Sequence, residues 1–173
     1  MTTQPRTEQR VAIVTGGSRG IGRQIAQRLA ADGFAVVVGY AGNKEAADDA
    51  VRAIEEAGGT ACAARADVAD ETEVAAVFDL AEATYGAVDV VVHSAGRMPL
   101  APIAELDLAE LDALYRTNIR GTFVVDQQAA RRLRPGGALV NLSSSVVGVA
   151  FTGVRRLRGQ QGRGRGRDPD PRP

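Results

Sequence analysis

The sequence predicts an α/β domain with a doubly wound parallel sheet, and three observations support this prediction. Short β-branched runs alternate with amphipathic segments from Val11 to about Ser145. A glycine-rich turn lies between the first run and the first amphipathic segment. Polar residues follow the ends of the runs, which is where ligands bind in such sheets. The alternation predicts right-handed crossovers with helices on both faces of the sheet.

Apolar periodicity and glycine or proline breaks define each element in turn. The second run is continuously apolar, as is typical of a strand buried on both faces, and Gly58-Gly59 stops the helix after it. Pro135-Gly136-Gly137 leads into the last run. The predicted strands are Val11–Val14, Phe34–Val38, Thr60–Val68, Val88–Val92 and Ala138–Leu142. The predicted helices run from the glycine-rich turn to Gly33, then over Asn43–Ala57, Glu71–Tyr85 and Leu106–Arg134, the last with a break near Asn118 and Gly121.

The glycine-rich turn reads Thr15-Gly16-Gly17-Ser18-Arg19-Gly20-Ile21-Gly22. Glycines at 16, 20 and 22 allow a tight turn and the close approach of a pyrophosphate, whose charge would meet free N–H groups at the start of a helix. The alternative is a plain strand-to-helix turn. The position of the glycine-rich turn between a buried strand and an amphipathic helix favours phosphate binding.

The spacing Gly-x3-Gly-x-Gly differs from the commoner Gly-x-Gly-x-x-Gly and resembles the TGxxxGxG element of the short-chain dehydrogenase/reductase family. Further matches follow in order: Asp67-Val68, Ala95-Gly96, Asn118 in TNIRGTF, and NLSSSVVG. The resemblance covers residues 10 to about 154. It implies a Rossmann-like fold with strand order 3-2-1-4-5 and NAD(P)(H)-dependent reduction of a carbonyl or oxidation of an alcohol.

The resemblance also assigns a cofactor site. Its residues are Thr15, Gly16, Ser18, Arg19, Gly20, Ile21, Gly22, Tyr40, Asp67, Val68, Ser94, Ala95 and Gly96. No acidic residue ends the second strand to bind a ribose 2′-OH, and Arg19 supplies a cation, so NADP(H) is favoured over NAD(H). Two alternatives stay open: Arg19 is a solvated surface charge, or Asp67 is a helix cap rather than an adenine contact.

Catalytic roles are implied for Asn118, in a proton relay, and for Ser145, which would polarise the substrate oxygen; Ser143 or Ser144 would match if the register slips. The family's Tyr-x-x-x-Lys pair is absent, since no tyrosine follows Tyr115 and no lysine follows Lys44. Without this acid–base pair we expect little or no activity, which leaves a non-catalytic nucleotide-binding module as one alternative. His93-Ser94 replaces two asparagines usual in the family, and His93 is interpreted as structural.

The composition changes near residue 155. From there the chain carries seven Arg and two Asp, whereas 14 basic and 19 acidic residues precede it. The predicted organisation is a polar tail at 1–10, an incomplete dinucleotide-binding domain at 11–154, and an Arg/Gly/Pro-rich disordered tail at 155–173. Back-translation of the tail in a shifted frame permits Tyr-Ala-Ala-Ser-Lys, so we expect a one-base shift that truncated a family member before its Tyr/Lys helix and last strands. Alternatively the Gly-Arg segment binds nucleic acid, although it has no aromatic residue for base stacking.

Composition and residue spacing also indicate which locations and ligands to expect for the protein. No apolar run reaches the ~18 residues of a membrane span and no signal-peptide core is present, so a cytoplasmic protein with no membrane partner is expected. No metal-ligand spacing occurs, and the implied substrate is a small carbonyl or alcohol compound. The last strand would become an exposed edge and the long helix would lose its dimerisation partner. We therefore expect aggregation liabilities rather than the family's homo-oligomer.

Overall fold

A computed structural model of the chain describes residues 9–144. The strands are β1 (Val11–Thr15), β2 (Ala35–Tyr40), β3 (Thr60–Arg65), β4 (Val88–His93) and β5 (Ala138–Asn141). The helices are α1 (Gly20–Ala31), α2 (Lys44–Glu56), α3 (Glu71–Tyr85), α4 (Leu108–Tyr115) and α5 (Gly121–Arg132). A 3-10 turn covers Ile103–Glu105, and a π-helical segment, Arg116–Arg120, joins α4 to α5.

The five strands form one parallel sheet in the order β3-β2-β1-β4-β5, which confirms the predicted order and fold class. Ile13 of β1 pairs with Val37 of β2 and Val91 of β4. All residues of β1 and β2 are buried, as the continuous apolar runs predicted. Because the alternation of strand and helix makes every crossover helical, the carboxyl ends of all five strands lie at one edge.

Two apolar clusters cover the two faces of the sheet. One includes Ile13 and Val91 with Phe78 of α3 and Val125 of α5. The other packs β1 and β2 against α1 and α2, through residues such as Ile54. Three of the four residues of the edge strand β5 are exposed. The exposed sheet edge expected at the last strand is therefore present in the part of the chain described.

Most predicted element ends differ from the structure by no more than two residues, and two expectations were wrong by more than that. β3 ends at Arg65 instead of Val68, because the carboxylate of Asp67 accepts a hydrogen bond from the Ala69 amide at 2.9 Å and turns the chain. The alternative that Asp67 caps the next helix is also wrong: the cap of α3 is Asp70, which accepts from the amides of Thr72 and Glu73. Residues 1–8, and the whole predicted tail at 155–173, lie outside the described residues.

The long predicted helix Leu106–Arg134 is present as α4, the π-helical segment and α5, with its irregular turn at the expected position. Exposed apolar side chains lie along it, among them Leu108, Tyr115 and Phe123. No helix within residues 9–144 is long and apolar enough to cross a membrane.

Candidate functional site

The glycine-rich turn packs directly against the loop that follows β4. Gly16 has φ +66°, and a Cβ atom there would lie 2.9 Å from both the Cα and the amide nitrogen of Ala95. A Cβ on Gly22 would collide with the carbonyl of Gly16 and lie 3.1 Å from Oγ of Ser94. Since both contacts are with fixed neighbouring atoms, side chains at these positions would force the turn and the loop apart.

The hydroxyl of Thr15 connects these two segments. Its oxygen lies 2.8 Å from Nδ1 of His93 and accepts hydrogen bonds from the backbone amides of Ser94 and Ala95, each at 3.2 Å. Thr15 is 7% exposed and His93 is 4% exposed. A hydroxyl has one donor and two acceptor positions, so this set uses all of them. Thr15 therefore holds the turn together, and its side chain has no hydrogen-bonding capacity left for a ligand.

His93 lies on the face of the sheet that carries α5. Burial lowers the pKa of His93 below its ordinary value, and the nearby Asp126 carboxylate opposes this shift. Nε2 of His93 is buried and has no hydrogen-bond partner. The imidazole is thus held in its neutral form by its surroundings, in agreement with the structural interpretation made from the sequence.

The start of α1 lacks the side-chain cap that three other helices have. Asn43, Asp70 and Asp107 accept amide hydrogen bonds at the starts of α2, α3 and α4. At α1 the cap position is Arg19, which makes no capping hydrogen bond, and the first turn contains no acidic residue. The positive end of this helix is therefore available to an anion, and the exposed Arg19 adds a positive charge beside it.

Asp67 lies at the carboxyl end of β3, at the same edge of the sheet. Its second carboxylate oxygen accepts a hydrogen bond from Arg116 of the π-helical segment at 2.7 Å. Burial by itself would raise the pKa of Asp67, but the Ala69 amide and the Arg116 guanidinium outweigh it and hold that pKa below its ordinary value. Val68 beside it packs so closely on Gly121 that a Cβ there would lie 2.6 Å from a Val68 methyl group.

Both polar atoms of the Asn118 side-chain amide form hydrogen bonds with the backbone of Arg97. Its Oδ1 accepts the Arg97 amide and its Nδ2 donates to the Arg97 carbonyl, both at 2.8 Å. This pairing fixes the loop after β4 against the π-helical segment. Asn118 therefore lies in the crevice, where it was predicted, while its side chain positions a loop.

These segments line one crevice of about 1260 Å³ at the carboxyl ends of the strands. Of the predicted site residues within 9–144, all line this crevice: Thr15, Gly16, Ser18, Arg19, Gly20, Ile21, Gly22, Tyr40, Asp67, Val68, Ser94, Ala95, Gly96 and Asn118. Ser145 lies outside the described residues. In the same range, no group of three or more His, Cys, Asp or Glu side chains could hold a metal ion.

Sequence reasoning missed the two arginines that organise this edge, Arg97 and Arg116. Arg97 offers its backbone to Asn118, and Arg116 reaches a carboxylate 49 residues earlier in the chain. Neither contact has a local sequence signal. Only the topology, which brings the ends of β3 and β4 to the same edge, could have suggested them.

Comparisons with known proteins agree with this geometry. A family model described as short chain dehydrogenase matches residues 10–155. An uncharacterized oxidoreductase of Methylorubrum extorquens is 40% identical over 144 residues, which are 83% of this chain and 58% of that protein. A trihydroxynaphthalene reductase of Pestalotiopsis fici is 36% identical over 143 residues, covering 83% of this chain and 50% of that protein.

Among solved structures, a short chain dehydrogenase from Burkholderia cenocepacia in complex with NADP superposes with a TM-score of 0.81 at 37% identity. The match covers 90% of this chain and 63% of that one. The chain thus spans between half and three fifths of the curated relatives just named. The glycine-rich turn, the sheet order and these matches lead to one conclusion: the chain belongs to the short-chain dehydrogenase family.

Proposed function

We propose that the crevice binds NADP(H), and that the reaction of the parent enzyme is NADP(H)-dependent reduction of a small carbonyl compound or oxidation of the matching alcohol. The observation that carries this proposal is the stack of the glycine-rich turn on the loop after β4. Gly16 and Gly22 leave no space for side chains there, while the uncapped start of α1 offers amides to a pyrophosphate.

Different lining residues would hold different parts of the cofactor along the crevice. Gly20, Ile21 and Gly22 would meet the pyrophosphate with the first turn of α1, and Asp67 with Val68 would meet the adenine. Ser94, Ala95 and Gly96 would border the ribose and nicotinamide. A bound nicotinamide supplies hydride transfer. The chain's own part is to orient the cofactor, and Asn118 does so indirectly by holding the Arg97 loop.

The preference for NADP(H) rests on charge at the end of β2. Ala41, Gly42 and Asn43 follow Tyr40, and none of them is acidic. Arg97 also lines the crevice but pairs with Glu110 at 3.0 Å, and Lys44 pairs with Asp48 at 2.6 Å. Among residues 9–144, Arg19 is thus the lining cation that has no ion pair. An arginine beside the 2′-phosphate of NADP(H) makes charge-assisted hydrogen bonds. The 2′-hydroxyl of NAD(H) has no charge and cannot form bonds of this strength.

Titration of the full chain with NADPH and NADH, followed by nicotinamide fluorescence, tests this preference. NADPH should bind more tightly. Arg19→Ala should weaken NADPH about tenfold to hundredfold, as expected for a hydrogen bond to a charged group worth about 1.5–3 kcal/mol, and leave NADH unchanged. Arg28→Ala is the matched control, because Arg28 lies on the same helix but pairs with Asp32 away from the crevice. Tighter binding of NADH would contradict the preference.

We propose further that this chain binds cofactor without turnover, because the residues after Ser145 include neither tyrosine nor lysine. Ser145 and Asn118 would remain as part of an incomplete catalytic set. The family match ends at residue 155, where the composition changes and where the shifted reading frame permits Tyr-Ala-Ala-Ser-Lys. Sequencing the coding DNA decides the origin of the tail: codons that do not yield this element one base later would exclude a frameshift.

A further inference from the structure

The end of β2 lies between two arginines at the edge of the sheet that forms the crevice. Because β2 lies between β3 and β1, its carboxyl end has a strand end on each side. On one side Tyr40, the last residue of β2, pairs with Arg65, the last residue of β3, and the Ala66 amide donates to the Tyr40 carbonyl at 2.8 Å. On the other side, the turn after β1 carries the exposed Arg19.

The Arg65 side chain lies over the end of its own strand. Side chains alternate between the two faces of a strand, so Arg65 leaves β3 on the face that carries Tyr40 and Ala61. Its guanidinium nevertheless lies 3.7 Å from the carboxylate of Glu73, on α3, which covers the opposite face. The side chain therefore passes over the carboxyl edge of the sheet, next to the crevice residue Asp67.

The ion pair that Arg65 makes with Glu73 is weak. Its 3.7 Å separation is too long for a hydrogen bond, and the Arg65 side chain is 64% exposed. The Glu73 oxygen in this pair already accepts the Asp67 amide at 2.8 Å. Burial by itself would raise the pKa of Asp67, and the Arg65 charge is among the influences that hold that pKa below its ordinary value. Arg65 is thus a cation near the crevice that a stronger anion can draw away from Glu73.

We propose that Arg65 is a second contact for the 2′-phosphate of NADP(H) and, with Arg19, determines the preference for this cofactor. The inference rests on the proposed function. In sheets of this kind the ribose of the adenosine half lies at the end of the second strand. Its 2′-phosphate would then lie between the two guanidinium groups, and Arg65 would reach it by rotation about its own side-chain bonds.

The relative strengths of the two interactions favour the phosphate over Glu73. A 2′-phosphate carries about two negative charges at neutral pH and forms charge-assisted hydrogen bonds with a guanidinium group. An exposed ion pair contributes much less. After subtraction of the lost pair with Glu73, one such hydrogen bond should tighten binding about threefold to thirtyfold. NAD(H) has an uncharged hydroxyl at this position and should gain nothing.

Titration of the full chain with NADPH and NADH at neutral pH, followed by nicotinamide fluorescence, tests this role. Arg65→Ala should weaken NADPH about threefold to thirtyfold and leave NADH unchanged, and Arg65→Lys should recover part of the loss. Arg52→Ala is the matched control, because it removes the same charge from an exposed arginine that pairs with Asp49 on α2 and does not line the crevice. It should change neither affinity.

Two adenosine nucleotides restrict the test to the adenosine half of the cofactor. In calorimetry, Arg65→Ala should weaken adenosine 2′,5′-bisphosphate by the same factor as NADPH and leave adenosine 5′-monophosphate unchanged. Chemical unfolding should give Arg65→Ala nearly the stability of the unmodified chain, because the pair that it loses is exposed. A loss of affinity in this variant is then a loss of contact with the phosphate.

A change at Glu73 tests the same contact in the opposite direction. Glu73→Gln keeps an oxygen that can accept the Asp67 amide but removes the negative charge that Arg65 faces. It should tighten adenosine 2′,5′-bisphosphate by up to about fivefold, the value of a partly exposed ion pair. The gain should be smaller when Arg65 is alanine. Equal gains with and without Arg65 would contradict its movement from Glu73 to the phosphate.

The outcomes separate this inference from the proposed function. If neither NADPH nor adenosine 2′,5′-bisphosphate binds to the unmodified chain, both are wrong. If both ligands bind and Arg65→Ala leaves their affinities unchanged, the role of Arg65 is refuted while the proposed function stands. Equal losses for NADPH and NADH would also refute that role, because they would show that Arg65 does not act on the 2′-phosphate.

Discussion

Replacing Gly16 by alanine tests the idea that close packing of two backbone segments forms the cofactor site. Two costs are expected. A non-glycine residue at φ +66° costs about 1–2 kcal/mol. The added Cβ at 2.9 Å from Ala95 must also displace backbone, and overpacking costs about 1–3 kcal/mol. A more restricted unfolded chain returns about 0.4–1 kcal/mol. Gly16→Ala should therefore lower the free energy of unfolding by about 1–4.6 kcal/mol, with a central value near 3 kcal/mol.

Gly33→Ala is the matched control. Gly33 has φ +87° in the turn between α1 and β2, and nothing lies within 4 Å of the position of its Cβ. It carries the conformational cost alone, so its free energy of unfolding should fall by only about 1 kcal/mol. Urea unfolding measures both values, and titration with NADPH measures affinity.

Gly16→Ala should weaken NADPH binding at least about tenfold. The added Cβ displaces the backbone at Ala95, and this displacement should cost more affinity than the loss of one hydrogen bond to the cofactor. Gly33→Ala should leave the affinity unchanged. Equal losses of stability in the two variants would show that the contact with Ala95 relaxes at no cost. Unchanged affinity in Gly16→Ala would refute the argument that this packing shapes the site.

Three further predictions concern stability. Below pH about 6.5 the unfolded chain binds a proton at His93 that the folded chain excludes, so the free energy of unfolding should fall by up to about 1.4 kcal/mol per pH unit until the lowered pKa is reached. His93→Asn should remove that slope in urea titrations at several pH values. Phe78→Ala should cost about 3–5 kcal/mol because its ring is fully buried, whereas Phe123→Ala, on an exposed ring, should cost under about 0.5 kcal/mol in the same assay. Arg116→Ala should cost at most about 1 kcal/mol by chemical unfolding, since its pair with Asp67 is partly exposed; a loss above about 2 kcal/mol would contradict this.

The strands followed from the sequence because each strand is marked locally, whereas the sheet order followed from the family resemblance. β1 and β2 are continuous apolar runs bounded by glycine, and α3 matched its predicted bounds from Glu71 to Tyr85. Where two local signals compete, prediction was less exact. Asp67 and Asp70 both look like caps, and only the backbone geometry assigns the cap to Asp70.

The site was predictable as a set of segments and not as a network. Motif spacing located Asn118 and Ser94 at the crevice, but it could not show that the Asn118 amide is fully used by the Arg97 backbone. Nor could it show that the side chains of His93 and Thr15, 78 residues apart, are within hydrogen-bond distance of each other. Such contacts depend on which strand ends lie side by side, and a single sequence encodes this only through the complete fold.

Burial differs between the strands whose ends form the crevice and the edge strand β5. β1 and β2 are buried along their whole length and β4 at four of its six residues, whereas β5 is largely exposed. The contacts that shape the cofactor crevice, from Gly16 to Ala95 and from Thr15 to His93, all lie within β1, β4 and their turns. The apolar side chains of β1, β2 and β4 are buried by α1, α2, α3 and α5, all within the described residues, and this burial stabilises the half of the sheet that carries the crevice. The packing that shapes the crevice therefore lies within residues 9–144, and the proposed binding of NADP(H) can be tested on this chain directly.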